Sequence, residues 1–347
     1  MRATKQSATR YVFGGYFMNV RTWAPALALA LLCSTAVPAF AADFGATDDT
    51  AFGGVTFWGG VGVAYLEANE YVYAGPGSSN VMSQLIWQST APILSGGFDV
   101  ELPEGWTVAA KAQFAISGDS YMEDYDWFGP DFVSYDADDW THRSQHTDTN
   151  LDWYFNGSLL IGHDFALDEN VTVNLNGGFK YTDVQWTAFG GTYVYSDIDI
   201  DNPGDNYHAY TGSFLDGEKG ITYRQSFPAL VAGADIEADL DALTLAAGVQ
   251  GGFTFYGTGD DHHWMRDLNF VDTLASAPLL AAHASAAYEI ADGMTLFAEG
   301  TIEKVFTARG DTDAYDIPTG DYIESYSDAA GGDLFAASLS LGVKGTF

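Results

Sequence analysis

From Phe335 to Phe347 the chain alternates, with Phe335, Ala337, Leu339, Leu341, Val343 and Phe347 interleaved by Ala336, Ser338, Ser340, Gly342, Lys344 and Thr346. A period of two belongs to a β-strand with two different faces. A strand that is apolar on one face, small or polar on the other, and closes on an aromatic residue fits a barrel whose outer wall meets lipid. An ordinary sandwich strand carries the same alternation, so the decision between them rests on the other end of the chain.

There, Arg2, Lys5, Arg10 and Arg21 precede an apolar run from Trp23 to Leu32, and Ala39, Phe40 and Ala41 form a small-x-small cleavage site. This is the pattern of a secretory signal peptide over residues 1–41, with Met1 or Met18 as the start. The run is too short to span a bilayer. Leu32 stands where a lipoprotein site at Cys33 would need a small residue, and cleavage after Ala41 removes this only cysteine, so no disulfide is expected.

No stretch of about 20 apolar residues follows, which excludes helical spans. Among structures that satisfy their own backbone groups in lipid, the closed antiparallel β-barrel remains. Residues 42–347 suffice for one all-β transmembrane barrel of about ten strands with long extracellular loops. That part keeps 9 of the 13 basic residues and all 47 acidic ones, for a formal charge near −38. Such a charge disfavours nucleic acid, whose phosphates require Lys and Arg, and favours cationic partners.

Alternating segments recur between turn clusters. Leu243, Leu245, Ala247, Val249 and Phe253 form one, and Leu280, Ala282, Ala284, Ala286, Tyr288 and Ile290 another, joined to Leu296, Ala298, Gly300 and Ile302 by the tight Ala291, Asp292, Gly293 turn. Other connections are long and rich in Asp, Tyr and Gly. They are expected to be extracellular and to carry function on a rigid scaffold.

Two such clusters hold titratable pairs at i, i+2: Asp124 with Asp126, and Asp261 with His263. In extended backbone each pair shares one face. An Asp that holds an imidazole makes a general base, and two close carboxylates share a proton. Continuing the outward odd positions from Leu243 would put Asp261 and His263 outside, so a bulge is required near Gly257 or Gly259. Taken alone, Asp-x-Asp is more often a solvated turn, and the adjacent histidines lack a zinc spacing, so no metal or cofactor is expected.

The run Asp124, Tyr125, Asp126, Trp127 resembles a motif of the omptin family, and Trp140, Thr141, Ser144, His146, Asp148, Thr149 and Leu151 follow its next segment. Asp261, His262, His263, Trp264, Met265, Arg266, Asp267 and Leu268 resemble the family's Asp-x-His-aromatic element. Ser83, Gln84, Leu85 and Trp87 match near the start, and Thr187 to Ser196 and Gly217 to Gln225 in the middle. The resemblance implies a monomeric outer-membrane endopeptidase with an extracellular groove. In it Asp261 and His263 activate water, Asp124 and Asp126 form the opposing couple, and Ser144 and His146 support. Ser144 as a covalent nucleophile ranks lower.

The resemblance also implies cleavage at basic residues, with Glu70 at the floor of the first pocket. Its usual acidic companion is here Gly259, and the acid expected on the leaving-group side is His142; Asp260, Glu123 and Asp139 are candidates to compensate. Family members hold lipopolysaccharide through basic side chains on the outer wall. Asp183 and Ser226 stand where two of those arginines belong. The competing reading is a barrel of the same shape acting as an adhesin or structural surface protein. A general porin would need many more strands.

Overall fold

The computed structural model describes residues 54–128, 139–197 and 206–347; the signal segment lies outside them. Fifteen strands follow in order: β1 (Gly54–Tyr73), β2 (Val81–Glu101), β3 (Trp106–Ala115), β4 (Asp119–Asp126), β5 (His142–Ala166), β6 (Val171–Phe189), β7 (Thr192–Asp197), β8 (Asn206–Ser213), β9 (Lys219–Leu240), β10 (Leu243–Thr254), β11 (Gly257–His263), β12 (Leu268–Leu274), β13 (Pro278–Ala291), β14 (Met294–Asp316) and β15 (Tyr322–Thr346). Among the described residues every strand pairing is antiparallel. The pairings close a ring in the order β1, β2, β3, β5, β6, β9, β10, β13, β14, β15 and back to β1.

The segment count exceeds the ten expected strands for a physical reason. Three ring positions are each occupied by two consecutive segments, because β4 continues β3 between β2 and β5, while β11 and β12 continue β10 and β13 between β9 and β14. The β7–β8 hairpin extends from the edge of β5. Ten positions therefore surround the axis at either level.

At one end, together with the start of β1 and Phe347, every connection is tight: residues 102–105, 167–170, 241–242 and 292–293. The Ala291–Gly293 turn falls as expected, with Ala291 opposite Met294 and Gly293 at φ 68°, a left-handed conformation that favours glycine. In this half the outward side chains are apolar, among them Leu159, Leu175, Leu230, Leu280, Ile302 and Leu341, all exposed. The expected outward set of the last strand is also seen: Leu339 and Leu341 are open while Ser340 is buried.

The interior of that half is polar but filled. Lys180 Nζ lies 2.7 Å from Glu303 Oε2, and Asn156 and Thr182 donate to Oε1 of the same carboxylate, each at 3.1 Å. Above it sits an apolar plug in which Trp87 stacks on Trp186 at 6.0 Å and on Tyr223 at 5.9 Å, all three fully enclosed. Each aromatic of this size contributes roughly 4–6 kcal/mol of burial at about 25 cal/mol per Å². The Trp186 indole donates to Ser89 at 2.7 Å, so the plug leaves that ring nitrogen satisfied. It forms a rigid floor for the opposite end of the barrel, where the long connections gather.

Candidate active site

Both titratable pairs reach the inside of that end by the same device. Along β10, Val249 and Phe253 point out. Thr254 is opposite Ala229 of β9, yet Thr258 is opposite Ser226, so four steps on one strand run against three on the other. The extra residue sits at Phe255–Tyr256, where Tyr256 adopts φ 50°. Parity is thereby reversed, and Gly257, Gly259 and Asp261 face inward and are buried. The expected bulge thus lies just before Gly257. A second shift separates β3 from β4: Leu94 is opposite Phe114 but Thr90 is opposite Asp119. Phe114 is exposed on the wall, whereas Met122 is fully buried, so Asp124 and Asp126 follow it inward.

Asp261 Oδ2 lies 2.5 Å from His263 Nε2, and Phe270 meets the imidazole edge-on at 5.5 Å. Burial alone would lower the His263 pKa. The charge and hydrogen bond of Asp261, aided by Asp124, outweigh it and raise the pKa above 6.5.

Asp124 is opposite Ser144 of β5 and Leu85 of β2; Asp126 is opposite His142 and Ser83. The Ser83 hydroxyl donates to Asp124 Oδ1 at 3.4 Å. Burial pushes the Asp124 carboxyl up to about 6, with His263 drawing it down and Asp261 pushing it further up. Asp126 is raised well above the carboxylate range, first by burial and then by the charge of Asp124. Burial and mutual repulsion therefore favour the protonated form at one or both of the two carboxyls. Asp124 feels the charges of both His263 and Asp261, so the two inward-facing couples are near one another inside this end of the barrel.

Ser144 Oγ lies 2.9 Å from His146 Nε2, both side chains being buried, and Phe214 stacks on the imidazole at 5.5 Å. Burial lowers the His146 pKa. Among the described residues no carboxylate bonds its Nδ1, so they do not assemble a Ser-His-Asp relay. Among the described residues, no cluster of His, Cys, Asp or Glu is arranged to hold a metal ion.

Glu70 is buried, and its Oε2 meets no N–H or hydroxyl donor, its one carboxyl neighbour within hydrogen-bond reach being Asp261. Burial, then Asp261 and Asp272, push its pKa well up. His142 is half-buried among Phe128 and Tyr195, and burial lowers its pKa, so a ring held toward its neutral form stands at the position where the resemblance implied an acid. The three candidate compensators do not join the cleft. Glu123 pairs with Arg143 at 3.0 Å, Asp260 faces His262 at 3.2 Å from the opposite side of β11, and Asp139 is exposed. The residue that does join Glu70 is Asp272 of β12, opposite Gly259. It lies in an unremarkable Val-Asp-Thr strand segment, and only the pairing of β11 with β12 reveals it.

A model of the omptin family matches residues 52–347. The chain belongs to the omptin family. It is similar to the plasminogen activator of Yersinia pestis, 29% identical over 252 residues that cover 72% of this chain and 76% of that protein. It is similar also to the outer membrane protease OmpP of Escherichia coli K12, 26% identical over 81% of this chain and 86% of the relative. The crystal structure of the outer membrane protease OmpT of Escherichia coli covers 87% of this chain and 99% of its own at a TM-score of 0.77 and 21% identity, which shows the shared fold. This omptin is accordingly an outer-membrane β-barrel.

Proposed function

We propose that this omptin is an endopeptidase that hydrolyses peptide bonds at basic residues with water as nucleophile and its groove facing the cell exterior. The observation that carries the reading is the 2.5 Å contact of Asp261 with His263, set against the Asp124–Asp126 couple. Asp261 holds Nε2–H, which leaves Nδ1 with the lone pair that accepts a proton from water. The hydroxide adds to the scissile carbonyl, and the protonated member of the Asp124–Asp126 couple donates to the developing oxyanion. The imidazolium then gives its proton to the amine as the C–N bond breaks, and the carboxyl product returns the other proton to the Asp124–Asp126 couple. Ser144 and His146 line the same wall as supports. Relatives named as outer membrane proteases agree with this class of reaction.

The substrate preference is supported by the buried acceptors around Glu70 and by the acidic balance of the chain, 47 acidic against 13 basic residues. The test is hydrolysis of a fluorogenic peptide library with single and paired Arg and Lys by refolded protein, beside His263→Ala. Cleavage next to basic residues that vanishes in the variant supports the reading. Absence of cleavage by the wild type, with cell or matrix binding retained, would replace it with an adhesin.

A further inference from the structure

At most positions in a paired strand the neighbour leaves room for a Cβ. At Gly259 it does not: a Cβ built there would lie 2.6 Å from Asp272 Oδ2 and 3.2 Å from its Cβ and carboxyl carbon. Asp272 is directly opposite in the β11–β12 register and therefore on the same inward face as Gly259 and Asp261. Its carboxylate fills the space that a side chain at 259 would otherwise occupy.

The surroundings are short of donors. The Glu70 and Asp261 carboxyls are within hydrogen-bond reach of one another, and beyond the single proton they can share, Glu70 Oε2, Asp261 Oδ1 and Gln225 Oε1 are buried acceptors that meet no N–H or hydroxyl donor. The two donors of the Gln225 amide are taken by Asn69 O at 2.9 Å and Tyr223 Oη at 2.7 Å. Tyr223 feels the charges of Glu70, Asp272 and Asp261 alike, which places it among all three. Among the described residues, the charges that act most on Glu70 and Asp272 are those of other carboxylates. Buried acceptors without donors are costly, each by about 1–3 kcal/mol, unless a ligand supplies the hydrogens. A guanidinium, planar and carrying five N–H donors, satisfies several carboxylate and amide oxygens at once, which an ammonium does less completely.

Resting on the endopeptidase reading above, we propose that Asp272 is a specificity-determining residue. It supplies, from the strand beside Gly259, the second carboxylate that with Glu70 and Gln225 receives the cationic side chain of the substrate residue preceding the cut, arginine before lysine. Burial pushes Asp272 up to about 7 and raises Glu70 well above the ordinary glutamate range, both of which favour the protonated form, and a docking cation would draw both back toward the ionised form.

The experiment compares kcat/KM for matched peptides with Arg, Lys, citrulline or norleucine before the scissile bond, each mixed with an internal competitor, in wild type, Asp272→Asn, Asp272→Gly and the double exchange Gly259→Asp with Asp272→Gly. The expected result is an arginine-over-citrulline ratio that falls roughly tenfold or more in both single variants. The double exchange, which puts the carboxylate back from the other strand, recovers most of it. An unchanged ratio in Asp272→Asn or Asp272→Gly overturns the assignment while leaving a basic-specific protease intact. A wild type that cleaves peptides without favouring Arg or Lys overturns the assignment together with the reading of a basic preference. A single variant that does not fold leaves the double exchange decisive, since loss of the arginine preference there in a folded barrel also counts against the proposal.

Discussion

Asp261 and His263 are two residues apart on β11 and bonded at 2.5 Å, with the carboxylate enclosed and the imidazole open to the cleft by about a sixth of its side-chain surface. The carboxylate therefore fixes the ring and its tautomer rather than reacting itself. His263→Ala is expected to lower kcat/KM by about 10²- to 10⁴-fold, the usual worth of a positioned base, with KM nearly unchanged. Asp261→Asn should fall within the same range. A His263→Ala protein that retains activity within a fewfold of the wild type would remove the imidazole from the mechanism.

The direction of the His263 shift sets an acid limb. Its folded pKa is raised above 6.5, so the imidazole becomes the proton-accepting form only at a pH above the ordinary histidine value. Activity is expected to climb with a midpoint above 6.5. Where stability is concerned, a raised histidine stabilises the fold fully below the unfolded pKa and loses that contribution as pH rises through the folded one. An NMR titration of ring-labelled His263 in micelles checks both. In Asp261→Asn the midpoint should drop, because the charge and bond that raise it are gone while burial stays.

For the Asp124–Asp126 couple the sign is reversed from that of an ordinary paired carboxylate. Both pKa values are raised, so the folded state binds protons more tightly than the unfolded chain and stability falls as pH rises from the usual carboxylate range through about 6 and beyond. Asp126→Asn is then expected to be inactive yet more heat-resistant at pH 8, by on the order of 1 kcal/mol after allowing for solvent access in the cleft. At pH 4 the difference should disappear. Thermal melts of the two proteins at both pH values decide it, and a variant less stable than wild type at pH 8 would contradict the like-charge account.

On the outer wall, Arg224 grips Asp183 through Nε at 3.0 Å and Nη2 at 2.5 Å, and Trp153 donates to the same carboxylate at 2.8 Å. A lipid phosphate would have to displace a bidentate carboxylate to reach that guanidinium. Activity after refolding is therefore expected to differ by less than about twofold with and without lipopolysaccharide, and Asp183→Asn, which frees Arg224, should create a dependence. A large stimulation of the wild type by lipopolysaccharide would show that other cations serve the lipid.

The barrel was legible because alternation carries its own meaning: Leu339, Leu341 and Val343 could only face outward together, and the Asp292–Gly293 turn has the chemistry of a two-residue hairpin. Asp124, Asp126, Asp261 and His263 were legible as i, i+2 pairs, and the need for a bulge followed from counting positions. Asp272 was not legible, because its partner Gly259 is 13 residues away and only the register of β11 against β12 brings them together. The same limit hid Glu123, whose salt bridge to Arg143 depends on which face β4 turns inward.

That facing depends on one residue at each break, which leads to a test of the bulge itself. Removing Tyr256 would restore an uninterrupted register between β9 and the joined β10–β11, and by parity would send Asp261 and His263 to the outer wall. Tyr256 is exposed and in a left-handed conformation that costs a non-glycine residue about 1 kcal/mol or more, so its loss removes strain and little packing. The deletion variant is expected to keep the strand content of the wild type by circular dichroism and to lose activity as completely as His263→Ala. Substitution by glycine, which keeps the extra residue, should preserve activity within about threefold. Hydrolysis by the deletion variant at more than a few per cent of the wild-type rate would mean that the parity of β11 is not what brings the dyad into the cleft.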